Sequence, residues 1–264
     1  MLSLTGPEKS FYRVLEDLRD HLPALTLVGG WVPFIYARHV WETETAHLVT
    51  TADIDFGLTE QPPASYKRTI FETLSELDYR ERHLDLGRLW PVVLYKEGKI
   101  PIEFLADSTM KTEAIAAILG SQVHVNKLEG FDFLMKNRLG VGIKAGPHAL
   151  TLYCPRPSAF LLHKLATVTQ REDDFKRAKD LHYAYFVLRY VPDVAALYRE
   201  SRGFRGELTF SQVEKNIDIY FSRLTSQGCL WVERENGPDE YVVDVRRDAH
   251  ERFNKLKAAL GSSG

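Results

Sequence analysis

Asp53 and Asp55, within Thr51-Ala52-Asp53-Ile54-Asp55-Phe56, are the residues of this chain best placed to do chemistry. Side chains alternate along an extended strand, so an Asp-x-Asp pair sets two carboxylates on one face, about 6.6–6.8 Å apart along the chain. Ile54 and Phe56 then face the other way. Hard oxygen ligands in that arrangement suit one or two magnesium ions, which neutralise phosphate oxygens and orient an in-line displacement. Upstream, Val28-Gly29-Gly30-Trp31 offers the complementary part. Paired glycines before a helix let backbone N–H groups approach the phosphates of a nucleoside triphosphate. Downstream, Glu103 is an acid between Ile102 and Phe104, a costly position unless a metal or partner compensates. It is the candidate third carboxylate, able to hold metal or take the proton of an attacking hydroxyl; Asp107, at the end of the same strand, is the substitute. Singly, each signal has a bland reading: a solvated strand edge, an ordinary turn, the polar side of a half-exposed strand. Their order along the chain is what points to a site.

Those residues need a scaffold. Phe11, Val14, Leu15, Leu18 and Leu22 recur at helical spacing over residues 7–22. Leu25–Val28 reads as a buried strand ending at the glycines, and Trp31–Val40 as a helix that tolerates Pro33 in its first turn. Residues 52–58 form the Asp-x-Asp strand and Tyr66–Leu77 a second helix. Residues 88–107 read as a hairpin whose strands are Val92–Tyr95 and Ile100–Ala106, with Gly98 in the turn. This alternation followed by an antiparallel pair predicts a mixed sheet with helices packed on it. Residues 111–154 carry weaker signals, with strands expected at Gln122–Val125 and Leu150–Tyr153. From Pro157 helical spacing takes over, in residues 158–170, 173–190, 194–203 and 211–227, with Ser158, Asp193 and Ser211 as N-terminal caps. A charged helical tail follows over residues 239–260. The expected class is α+β: a sheet domain over residues 1–154, a helical domain over 155–260 and a short flexible tail at 261–264.

The 264 residues suffice for one large domain or two modest ones, and 44% hydrophobic with 27% charged residues is ordinary for a soluble globular protein. A net charge of −2 argues against a broad, sequence-indifferent grip on nucleic acid, although the stretch from Lys164 to Lys179 is locally basic. No apolar run approaches the roughly 20 residues that cross a bilayer, and the charged, amphipathic N-terminus lacks a signal peptide's apolar stretch. A cytoplasmic location without membrane partners is expected. Cys154 and Cys229 are far apart and the nine histidines scattered, with no metal-type spacing. No Ser-His-Asp order, Walker-type loop or dinucleotide fingerprint occurs.

The glycine turn, the acid-x-acid strand and the third acid together resemble the minimal, DNA polymerase β-like nucleotidyltransferase superfamily. Within it the chain looks most like bacterial proteins related to type IV toxin and abortive-infection nucleotidyltransferases. Those pair a Gly-Gly turn and a Thr-x-Asp-x-Asp strand with a later helical Lys and a Lys-Asp or Arg-Asp pair. Here these are Gly29-Gly30, Thr51 to Asp55, His163-Lys164-Leu165, Arg171 and Lys179-Asp180. The resemblance covers roughly residues 25–190. It implies transfer of a nucleoside monophosphate from NTP–Mg²⁺ to a hydroxyl acceptor, with release of pyrophosphate, in a cleft completed by the helical domain. Asp53, Asp55 and Glu103 would be the catalytic metal ligands, and Gly29, Gly30, Thr51, Lys164, Arg171 and Asp180 would serve the nucleotide. The acceptor would be tRNA, another RNA 3′ end or a protein, and an antitoxin protein a partner. Periodicity alone reads Lys164 as a stem covering apolar surface with its head in water, and Arg171 with Lys176, Arg177 and Lys179 as a solvated face. Val49 stands where relatives often carry Arg, with Arg38 or His39 as stand-ins. Two other functions fit the same fold: an aminoglycoside-type nucleotidyltransferase, and a non-catalytic nucleotide-binding module.

Overall fold

The computed structural model describes residues 6–43, 51–59, 67–82, 93–123, 125–145, 148–207, 210–237 and 244–261. The chain divides into two compact units, Met1–Ile35 with Leu48–Pro155, and Tyr36–His47 with Arg156–Gly264. The architecture is a mixed sheet with flanking helices and a C-terminal helical region, which is the α+β class.

In the first unit the elements run α1 (Gly6–Asp17), β1 (Leu25–Val28), α2 (Val32–Ile35), β2 (Ile54–Leu58), α3 (Ile70–Glu76), β3 (Arg80–Arg82), β4 (Val93–Tyr95), β5 (Ile102–Asp107), α4 (Thr112–Leu119), β6 (Asn126–Leu128), α5 (Asp132–Lys136), β7 (Arg138–Ala145) and β8 (His148–Pro155). The sheet order is β1-β2-β5-β4-β3, with β6 also on β5. β2 and β5 are parallel, and β1 and β4 are antiparallel to their neighbours β2 and β5. β5, the strand that carries Glu103, is therefore central. Its apolar side, Ile102 and Phe104, continues that of Ile54 and Phe56, all essentially excluded from water. The Phe56 and Phe104 rings stack at 6.3 Å. Trp31 is wholly buried, stacked on Phe11 at 4.4 Å and edge-on to Phe34, and so anchors the packing.

The hairpin turns where expected, with Gly98 at φ +73°. α1 is fastened to it and to the segment before β3: Ile100 N–H donates to Ser10 Oγ at 2.9 Å, and Asp17 pairs with Lys99 and accepts from the Tyr79 hydroxyl at 2.7 Å. α3 starts at a capping box in which Glu72 N–H donates to Thr69 Oγ1 and Thr69 N–H to Glu72 Oε2. Its expected beginning at Tyr66 lies outside the described residues, as do Val49, His47, His83, His124 and residues 88–92.

In the weak stretch the strand expected at Leu150–Tyr153 is present within β8, but the rest departs from the pattern reading. Residues 112–119 and 132–136 are helices, and residues 138–145 pair with 148–155 in a two-stranded ribbon from Arg138↔Pro155 to Ala145↔His148. The strand expected at Gln122–Val125 is instead β6, beginning at Asn126. α4 is a mostly apolar helix too short to display a clear period, and β7 contains glycine at Gly140 and Gly142, residues of low strand propensity.

In the second unit the helix that began as α2 continues as a π-helical turn, Tyr36–Val40. It is followed by α6 (Pro157–Thr167), α7 (Asp174–Tyr190), α8 (Val194–Gly203), α9 (Phe210–Phe221), α10 (Gln227–Asn236) and α11 (Val245–Gly261). Tyr36 meets Phe160 edge-on at 6.0 Å and Trp41 stacks on Phe186 at 6.0 Å. Asp193 caps α8 through Ala196 N–H as expected, but the other two caps are corrected. Ser158 sits inside the first turn behind Pro157 and donates to Glu200, and Ser211 is already helical. Asp173, accepting from Lys176 N–H at 2.7 Å, caps α7. The expected helix over 211–227 stops at Phe221, and α10 begins separately. Asn216 Nδ2 donates to the Leu165 carbonyl at 2.7 Å near the end of α6, and the Tyr185 hydroxyl donates to Asp248 at 2.7 Å, tying α11 to α7.

His182, buried on α7, has its basicity pushed down to about 4 by burial, against weaker opposing effects of Glu235 and a hydrogen bond with the Val232 backbone. An unfolded histidine titrates near 6.5, so protonation favours the unfolded chain. The stability this contributes is present above pH 6.5 and is lost progressively as the pH falls towards 4. Urea denaturation at a series of pH values should therefore give a falling stability over that window, and His182→Gln should flatten the slope. A slope unchanged by the substitution refutes the assignment.

Candidate active site

The register of three strands builds the site. Val28 on β1 pairs with Asp55 on β2, and Asp55 pairs with Glu103 on β5. Residues paired across neighbouring strands point to the same face, so Asp55 and Glu103 stand side by side. Asp53, two residues before Asp55 and just ahead of β2, falls on that face too. One oxygen of each of the three carboxylates lies within 4.8 Å of the others, and all three side chains are half-buried.

Three acids this close repel one another, and the repulsion grows as water is withdrawn. A divalent cation relieves it, and carboxylate oxygens are the donors that hard divalent ions prefer. The neighbouring backbone fits the same reading. Gly29 follows β1 with φ +70°, and a Cβ placed on it would fall within bonding range of Asp55 Oδ2 and 3.0 Å from its Cγ. Only glycine lets the turn lie against that carboxylate. From Gly29 the chain winds through a 3₁₀ turn, Gly29–Trp31, into α2.

Each acid has its own restraint. The Thr51 hydroxyl donates to the Asp53 carboxylate, and Asp53 N–H donates back to Thr51 Oγ1 at 3.2 Å. Thr51, expected to serve the nucleotide, is thus engaged with a carboxylate of the cluster. Asn126 Nδ2, from β6, donates to Glu103 Oε1 at 3.0 Å. Sequence reasoning missed Asn126, whose only signal would have been a strand pairing with β5. Gly57, further along the Asp53 and Asp55 face, is packed by α5: a Cβ there would stand 2.6 Å from Met135 Cε and 2.8 Å from the Phe131 ring.

Asp107, the substitute third acid, has another occupation. It accepts from Thr109 N–H and Oγ1 at 2.9 and 2.6 Å and from Asp132 N–H at 2.8 Å. Burial alone would raise its pKa, but these hydrogen bonds prevail and hold it below the usual carboxylate range. It organises the loops after β5, while Glu103 is the acid that joins the cluster.

The remaining expected site residues come together within the second unit. Lys164 on α6 is buried and pairs with Asp180 on α7, and Arg171 Nε donates to the other Asp180 oxygen at 2.7 Å. Lys164 Nζ also lies 5.6 Å from the ring centres of Phe160 and Tyr183. Desolvation works against the Asp180 charge, but the two cations hold its pKa below the usual range. The reading of Lys164 as a surface residue with its head in water is therefore corrected, and Arg171 is part of an ion-paired triad. Arg38 and His39 lie on the π-helical turn.

On a mixed sheet, three clustered carboxylates beside a glycine turn offer a set of oxygen donors that could hold a hard divalent ion. A family model described as a nucleotidyltransferase matches residues 12–198, well over half of the chain, and the chain belongs to that nucleotidyltransferase family. No curated protein matches it significantly.

The Gly29 contact and its backbone conformation can be separated. Gly98 has nearly the same φ, +73°, and nothing within 4 Å of an added Cβ. Gly98→Ala should lose only the backbone preference, about 1 kcal/mol. Gly29→Ala should lose about 1–3 kcal/mol more, because the turn or Asp55 must move. Equal losses in chemical denaturation would mean that the approach to Asp55 carries no constraint.

Proposed function

We propose that this chain transfers a nucleoside monophosphate from an NTP to a hydroxyl acceptor, with Asp53, Asp55 and Glu103 holding Mg²⁺. The observation that carries the reading is the placement of Asp55 between the Gly29 turn on one side and Glu103 on the other. Bound there, the ion neutralises charge on the phosphate oxygens and orients an in-line displacement.

The strand order supports a division of roles among the chain's own groups. Gly29 and Gly30 lie at the β1 side of the acids and receive the triphosphate against bare backbone. Glu103 lies at the β5 side, away from the glycine turn, where the acceptor would approach. In this reading Glu103 is a metal ligand or takes the proton of the acceptor hydroxyl. The acceptor oxygen forms a bond to the α-phosphorus, the bond from that phosphorus to the bridging oxygen breaks, and pyrophosphate leaves with the electron pair.

The resemblance to toxin-like nucleotidyltransferases supports tRNA or another RNA 3′ end as acceptor, and an antitoxin protein as partner. The test is incubation of the purified chain with each labelled NTP, Mg²⁺ and total tRNA, beside Asp55→Ala and Glu103→Gln. Label should enter tRNA with one or more NTPs. Loss of an electrostatic contribution of several kcal/mol should lower the rate about 10³-fold or more in either variant. Label entering an aminoglycoside but not tRNA would replace the acceptor. Transfer to neither, with nucleotide binding indifferent to Asp55→Ala, would leave a nucleotide-binding module without catalysis.

A further inference from the structure

Glu103 differs from its two partners in how much freedom it must give up. A glutamate has one more rotatable bond than an aspartate, and fixing such a side chain costs about 1.5–2 kcal/mol of rotamer entropy. Asp55 is confined by the Gly29 backbone against it, and Asp53 by Thr51 two residues away. Glu103 receives a restraint from outside its own strand in Asn126 Nδ2, at 3.0 Å from Oε1.

We infer that Asn126 is a positioning residue that sets the orientation of the Glu103 carboxylate for the bound divalent ion. This deepens the metal-dependent reading above and rests on it. Asn126 opens β6 and registers with Leu105, so it stands one pleat beyond Glu103 on the same face of the sheet. No residue of β6 is fully buried, with Lys127 exposed and Asn126 itself half-buried, so packing gives little reason for an amide here. The chemistry of an amide does. It donates a hydrogen bond without bringing a charge, so it fixes one oxygen and leaves the negative charge of the three acids undiminished. Lys or Arg at this position would compete with the cation for Glu103, and Asp would add a fourth like charge. Partners that orient a metal ligand typically contribute 10–100-fold to metal affinity.

The test is titration of the full chain with Mn²⁺ alone, followed by electron paramagnetic resonance, in the absence of nucleotide. Asn126→Leu, close in shape but without a donor, should weaken Mn²⁺ binding about 10-fold with the melting temperature of the metal-free chain little changed. Asn126→Gln, which keeps the amide, should recover part of the affinity. Unchanged Mn²⁺ affinity in Asn126→Leu, with or without a lower melting temperature, overturns the inference. Should that variant not fold, Asn126→Ser, too short to reach Glu103, is judged by the same criterion. Asp55→Ala and Glu103→Gln separate the two levels. If they abolish binding and the Asn126 variants do not weaken it, the positioning role alone fails. If they leave Mn²⁺ binding intact, the metal reading fails as well.

Discussion

At the end of β1 a stretch of backbone without a side chain lies against the carboxylate of Asp55, and the architecture of the first unit follows from keeping it there. The approach requires a residue that accepts φ +70° and has no Cβ, which is Gly29. It also requires β1 and β2 to hold the register Val28↔Asp55. Slipping a strand by one residue would turn the acids to the opposite face and bring Ile54 and Phe56 to this one. The burial of Ile54, Phe56, Ile102 and Phe104 on the far side opposes that slip. An apolar face thus fixes the position of a polar one.

The polar face concentrates like charge at the cost of stability, a pattern found where function overrides local preference. Two acids of β5 make the contrast. Asp107 is surrounded by amide and hydroxyl donors that satisfy its charge within the protein. Glu103 faces two other carboxylates and receives a neutral amide. The first is arranged as a structural anion and the second as a proposed ligand. Two residues of β5 four positions apart are given different tasks by what other elements bring to them.

In the second unit a buried aspartate between Lys164 and Arg171 joins α6 to the segment leading into α7. Buried ion pairs of this kind are weak sources of net stability, because desolvation offsets most of the attraction, yet losing one partner strands the other. Tyr36 on Phe160 and Asn216 on the Leu165 carbonyl are further contacts that other segments make with α6.

Much of this was legible in the sequence because it depends on short-range rules. Alternation in a strand placed Asp53 and Asp55 on one face, glycines marked the turn, apolar spacing marked the helices after Pro157, and Gly98 marked the hairpin. Glu103 stood out because an acid between Ile102 and Phe104 conflicts with its surroundings. What the sequence left open depends on contacts between distant segments. The pairing of β5 with β2 brings Glu103 opposite Asp55, the pairing of β6 with β5 brings Asn126 to Glu103, and hydrogen bonds from Thr109 and Asp132 give Asp107 a different task from Glu103. The head of Lys164 is buried because Asp180 arrives from another helix to meet it. A side chain's type and periodicity state what it can do; which partner it does it with is set by packing, because hydrogen bonds and ion pairs act over a few ångströms and the chain alone does not fix which distant groups come that close.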